Sequence, residues 1–120
     1  TAEETLNFIK SANIDFVRFT INTPFPGTEY YEEMKNARRL LTEDYSLYDC
    51  CHCVIKPLNL TAKEVEVMFA RLWKQAHSLR NILVRLSYIK SPLKYLKMVL
   101  KNYFFGQIYQ RMIIRHKFKN

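Results

Sequence analysis

Apolar and β-branched residues crowd one short run, Ile14 to Ile21, and predict a buried strand. The run stops at Thr23-Pro24-Phe25-Pro26-Gly27-Thr28. Neither proline carries a backbone N–H, so a strand ladder ends there. Gly27 admits a backbone conformation that other residues avoid. Thr28 then caps a helix expected from about Glu29 to Leu40, whose acidic start, Glu29, Glu32 and Glu33, suits the positive end of a helix dipole. Tyr30, Met34, Ala37 and Leu41 form its apolar stripe. In α/β proteins ligands gather at the carboxyl ends of strands, which makes Thr23 to Thr28 the candidate binding loop.

On either side of this unit the pattern is helical. Thr1-Ala2-Glu3-Glu4 has capping-box spacing, and Leu6, Ile9 and Ala12 share a face of a helix ending near Asn13. A chain that starts on a helix cap looks cut from something longer. Thr42 to Leu60 has no clean period and is expected to be a loop with one short extended segment. Thr61-Ala62-Lys63-Glu64 is a second capping box. The helix that it opens is expected to be long, with Met68, Leu72, Ala76, Leu79, Leu83 and Leu86 on one face. Arg71, Lys74, Ser78, Asn81 and Arg85 fall on another. Ser91-Pro92 breaks the pattern and restarts it, with serine as cap and proline at the first helical position. Leu93, Leu96, Leu100 and Tyr103 line one side of that last helix, and Lys94, Lys97 and Lys101 another. Gly106 is expected to bend or end it, and the apolar set Phe104, Phe105, Ile108, Tyr109, Met112 and Ile113 stands just before a basic tail, Arg115-His116-Lys117-Phe118-Lys119.

Charge divides the chain more sharply than hydropathy does. Residues 1–66 hold all eleven acids against seven Lys and Arg, a net −4. Residues 67–120 hold twelve Lys and Arg and no acid, a net +12. Mixed signs are normal on a merely solvated face, so the asymmetry suggests an anionic partner for the second half: a membrane surface, a lipid-like substrate, an acidic face of another domain or, with no base-reading motif in its favour, nucleic acid; a solvated face with no external partner is the other reading. The pattern divides at residue 60 into an α/β part, 1–60, and a basic helical part, 61–120.

Acid/base and metal chemistry find little support. Cys50, Cys51, His52 and Cys53 carry metal-binding atoms, but adjacent cysteines seldom aim both sulfurs at one ion and no second ligand pair follows. Three clustered cysteines also argue against a secreted disulfide framework and for a reducing, cytoplasmic compartment. His77 lies beside an apolar stripe and reads as structural. No residue is assigned a catalytic or metal-binding role.

Four stretches together carry a family resemblance: Ala12-Asn13-Ile14-Asp15, Pro24-Phe25-Pro26-Gly27-Thr28, Tyr30-Tyr31-Glu32-Glu33-Met34 and Tyr45-Ser46-Leu47-Tyr48-Asp49. They resemble the back end of a radical S-adenosylmethionine enzyme of the cobalamin-binding-domain subgroup, which includes anaerobic magnesium-protoporphyrin IX monomethyl ester oxidative cyclases. The likeness covers residues 1–60 well and rests on general layout from 61 onward. It implies that Ile14 to Asn22 is about the sixth strand of a partial (β/α) barrel. It places Thr23, Pro24, Phe25, Pro26, Gly27 and Thr28 at the barrel mouth, near S-adenosylmethionine or the substrate. It also implies a C-x-x-x-C-x-x-C triad for a 4Fe-4S cluster, and a cobalamin domain, both upstream of this stretch. Cys50, Cys51 and Cys53 do not match that triad, so this chain alone is expected to bind no cofactor.

The expected fold is therefore an α/β fragment, mostly helical, with one or two strands from the end of a barrel followed by basic C-terminal helices. The expected role is that of the C-terminal portion of such an enzyme, partnered by the rest of it. Unpaired strand edges would otherwise be covered by the helices or by a second copy of the chain. The alternative is a non-enzymatic basic helical module that binds a membrane surface or nucleic acid.

Overall fold

The computed structural model describes residues 2–117. Five α-helices form among them: α1 (Ala2–Ser11), α2 (Glu29–Asn36), α3 (Ala62–Ala76), α4 (Leu79–Arg85) and α5 (Pro92–Lys117), with a 3-10 turn at Tyr45–Leu47. The chain divides into two compact units, Thr1–Phe19 with Ala70–Asn120, and Thr20–Phe69. The expected cap at Thr1 and the tail residues Phe118 and Lys119 lie outside the described residues. So do the side chains of Ile113, Arg115, His116 and Lys117.

Apolar clusters organise the first unit. Leu6 and Ile9 of α1 are buried with Val17 and Ala76, and Ile14, Phe19 and Leu72 pack around them. α1 stops where the backbone of Asn13 turns left-handed at φ 51°, a conformation that asparagine tolerates better than most residues. Ile82 and Leu86 are buried with Val99 of α5, against Ile89, Tyr95 and Met98. The second unit is built on Tyr31, Tyr48 and Val54, with Leu40 and Leu47 beside them.

Mostly helical structure is what the pattern led one to expect, but the strand is not there. Among the described residues no strand or sheet forms, and one isolated antiparallel bridge joins Leu40 and Ile55. The segment Ile14 to Asn22 keeps a strand-like burial rhythm all the same. Val17, Phe19, Ile21 and Thr23 turn inward, while Phe16, Arg18, Thr20 and Asn22 are exposed. What it lacks is a neighbour: a strand exists through its ladder, and periodicity alone cannot supply one. A barrel remnant is not shown among the described residues.

The long helix expected from Thr61 to Leu86 is two helices. Its capping box forms, with the Thr61 N–H donating to the Glu64 carboxylate at 2.7 Å and the Glu64 N–H donating to Thr61 Oγ1 at 3.2 Å. The helix then ends at Ala76. Ser78 caps α4 by accepting from the Asn81 N–H, and Asn81 Nδ2 donates to the Gln75 carbonyl at 2.6 Å. Residues placed on a continuous polar face by sequence thus close the break instead. α2 is also shorter than expected. It ends at Asn36, and Arg38 turns left-handed at φ 54° just after it.

α5 starts at Pro92 as the Ser-Pro pair indicated, but Gly106 does not end it. The inward face is also the other one. Val99, Asn102 and Gly106 are buried, while Leu93, Leu96, Leu100 and Tyr103 are exposed. α4 repeats the exchange: Arg85 is buried and Leu79 and Leu83 are exposed.

Candidate functional site

The loop Thr23–Thr28 is a buried anchor followed by an exposed tip. Thr23 is buried and its hydroxyl donates to the Ile21 carbonyl at 3.0 Å. Pro24 is fully buried. Phe25, Pro26, Gly27 and Thr28 are exposed. The Thr28 N–H donates to the Phe25 carbonyl at 3.2 Å, closing a four-residue turn with proline second and glycine third. Gly27 has φ 84°, as a type II turn requires at that place. The Thr28 hydroxyl donates to the Phe25 carbonyl at 2.7 Å and accepts from the Tyr31 N–H at 3.2 Å, so one side chain fastens the turn and caps α2. No atom lies within 4 Å of the place where a Gly27 Cβ would stand. The tip therefore offers an aromatic ring and open backbone.

The neighbours hold this loop in place within its unit. Asn22 Nδ2 donates to the Tyr30 hydroxyl at 3.1 Å, and the Ile21 N–H donates to the Cys50 carbonyl at 2.8 Å. Tyr31, beneath α2, shares a 3.3 Å hydrogen bond with the Tyr45 hydroxyl. That bond, with burial and the nearby phenols behind it, pushes the Tyr31 hydroxyl up to about 12. The Tyr48 hydroxyl donates to the Thr42 carbonyl at 2.8 Å, and burial raises its pKa. Tyr31 and Tyr48 belong to the apolar core of this unit.

The cysteine segment is a turn organised by Asp49. Its carboxylate accepts from the backbone N–H groups of Cys51 and His52 and pairs with His52 Nδ1 at 3.0 Å. Partial burial works to raise the carboxyl, but these bonds outweigh it and hold it below the ordinary carboxylate range. Cys53 is buried, and burial pushes its thiol up, away from the reactive thiolate. Among the described residues no group of three or more His, Cys, Asp or Glu could hold a metal ion.

The other polar cluster lies in the first unit, and sequence reasoning missed most of it. Trp73, His77, Arg85 and Asn102 are all fully buried. Arg85 Nη2 donates to Asn102 Oδ1 at 2.5 Å, and Nη1 to the Ala76 carbonyl at 3.4 Å. Asn102 Nδ2 donates to the carbonyls of Asp15 at 3.0 Å and Met98 at 2.9 Å. The His77 ring stacks on Trp73 at 4.5 Å. Its Nδ1 lies 3.1 Å from the Trp73 carbonyl. Burial lowers the pKa of both His77 and Arg85. Tyr88 donates to the Asp15 carboxylate, which raises the phenol's pKa. A lone tryptophan was the one signal that could have marked this spot; nothing local marked Asn102. The cluster is sealed and offers no open face to a substrate.

Comparison with known proteins gives three relatives, all named methyltransferases. Bacteriochlorophyllide d C-12(1)-methyltransferase of Chlorobaculum tepidum is 33% identical over 84 residues, which is 70% of this chain and 18% of that protein. Bacteriochlorophyllide d C-8(2)-methyltransferase of the same organism is 28% identical over 97 residues, 81% of this chain and 21% of that protein. An uncharacterized methyltransferase of Pyrococcus horikoshii is 28% identical over 83 residues, 69% of this chain and 18% of that protein. The chain thus spans about a fifth of the length of the curated relatives that it matches. No protein-family model matches it, and no solved structure does.

These relatives correct the family resemblance. They carry the names of methyltransferases, and none of the three is named a cyclase, so the assignment to radical S-adenosylmethionine oxidative cyclases of the cobalamin-binding subgroup is overturned. The 4Fe-4S cluster and cobalamin that came with that assignment are not carried forward. The alternative of a non-enzymatic basic module fails on the same finding, because the similarity runs to named enzymes and extends over most of this chain.

Proposed function

We propose that this chain is a segment of a methyltransferase that uses S-adenosylmethionine as methyl donor and a chlorophyll-type tetrapyrrole as acceptor. The similarity to bacteriochlorophyllide d C-12(1)-methyltransferase carries the reading. S-adenosylmethionine is the usual donor for a transfer of that name. The acceptor class comes from two of the three relatives.

Within such an enzyme the segment supplies a wall. Of Thr23, Pro24, Phe25, Pro26, Gly27 and Thr28, the buried Thr23 and Pro24 anchor the loop and the last four line the donor or acceptor, with the exposed Phe25 ring as an apolar face and Gly27 keeping the tip open. No residue of the chain is assigned a chemical step. The alternately buried segment ahead of the loop becomes a strand once neighbours from the rest of the enzyme pair with it.

The test is transfer of a labelled methyl group. The intact enzyme that carries this chain is given methyl-labelled S-adenosylmethionine and bacteriochlorophyllide d. Label in the tetrapyrrole, with weaker acceptor binding in Phe25→Ala, supports the reading. An enzyme that labels no tetrapyrrole overturns it.

A further inference from the structure

α5 is apolar on two faces, and only one is covered among the described residues. Its inward side buries Val99, Asn102 and Gly106. On the outward side Leu93, Leu96, Leu100, Phe104, Ile108 and Met112 recur at steps of three and four, and all are exposed. Phe104 is 60% exposed and Ile108 58%. A contiguous stripe of that kind seldom faces water without a partner.

Charge says which partner fits. Lys94, Lys97 and Lys101 are exposed along one flank of the stripe, and Arg111 lies further along the helix. From residue 67 to residue 120 there are twelve Lys and Arg and no acid. A protein surface built to receive this face would need a matching acidic rim. A film of anionic lipid supplies negative charge everywhere and an apolar layer just beneath it. No helix among the described residues is long and apolar enough to cross a membrane, so α5 would lie in the plane. We propose that the outward face of α5 docks on an anionic lipid surface, with the apolar stripe dipping into the headgroup boundary and the lysines on the phosphates. This holds independently of the methyl-transfer reading.

Vesicle flotation of the intact protein tests it. The vesicles are phosphatidylcholine alone, or phosphatidylcholine with about one third phosphatidylserine, each at low and high salt. Binding is expected to the mixed vesicles at low salt and to fall with salt. Each lysine near such a surface contributes roughly fivefold in affinity, so the triple change Lys94→Gln, Lys97→Gln, Lys101→Gln should weaken binding on the order of 100-fold. Phe104→Ser with Ile108→Ser should weaken it too, at unchanged circular dichroism, since both side chains are exposed. An intact protein that stays unbound to mixed vesicles at low salt overturns the proposal, and so does binding that neither set of changes weakens. Salt-sensitive binding to nucleic acid without vesicle binding also overturns it.

Discussion

A Cβ on Gly106 would stand 2.4 Å from the Cβ of His77. No pair of side chains can share that space, so the glycine is what lets α5 lie against the turn that ends α3. Alanine at 106 would gain about 1 kcal/mol of helix propensity and lose about 1–3 kcal/mol to overpacking. We expect Gly106→Ala to destabilise the protein in urea unfolding. His77→Ala should not rescue it, because alanine keeps the clashing Cβ. A Gly106→Ala variant as stable as the parent would show that the two backbones can part cheaply.

His77 also sets a pH dependence. Burial, with the Arg85 charge as a lesser cause, lowers its pKa below the ordinary 6.5, against opposing hydrogen bonds to the backbone of Trp73 and Val17. The unfolded chain therefore takes up a proton first as pH falls. Stability from this residue is complete above about 6.5 and is lost as pH drops through the folded value. Urea midpoints measured from pH 7.5 down to about 5, above the range where ordinary carboxylates titrate, should fall. His77→Gln should flatten that slope.

Arg85 and Asn102 make a third, asymmetric prediction. The guanidinium is buried, and its Nε has no hydrogen-bond partner. Asn102→Ala strips its shortest hydrogen bond and leaves the Asp15 carbonyl short of a donor, at a cost of about 2–3 kcal/mol. Arg85→Met removes the buried charge with similar volume but leaves Asn102 Oδ1 without its donor, so its loss should be the smaller of the two. Equal losses in the two variants would mean that Arg85 is worth more than its desolvation costs.

The turn at the candidate site gives a local test. Gly27 has φ 84° and open space around it, so a substitution there meets only the backbone's own preference. Gly27→Val should cost about 1–2 kcal/mol, and Gly27→Asn less. If Gly27→Asn keeps the fold but weakens tetrapyrrole or donor binding, the tip contacts ligand. If it changes neither, Gly27 serves the turn alone.

What the sequence determined by itself was local. Thr28 and Thr61 cap helices because a side-chain oxygen three residues from a free N–H can act without help from the rest of the fold. Pro92 opens α5, and Pro26-Gly27 makes its turn, for the same reason. The loop 23–28 was legible as a candidate site on that basis. Tertiary structure decided which side of each helix faces in. Leu93, Leu96 and Leu100 looked like the core of α5, yet Val99, Asn102 and Gly106 are buried. Arg85 looked like surface and is 1% exposed, while Leu83 is 38% exposed. Two apolar faces on one helix leave the choice to the partner that packs closest, and at Gly106 only a missing side chain permits that approach. The segment Ile14 to Asn22 teaches the same lesson for strands. Its alternation was readable, but a ladder needs a second chain segment, and alternation alone cannot provide one.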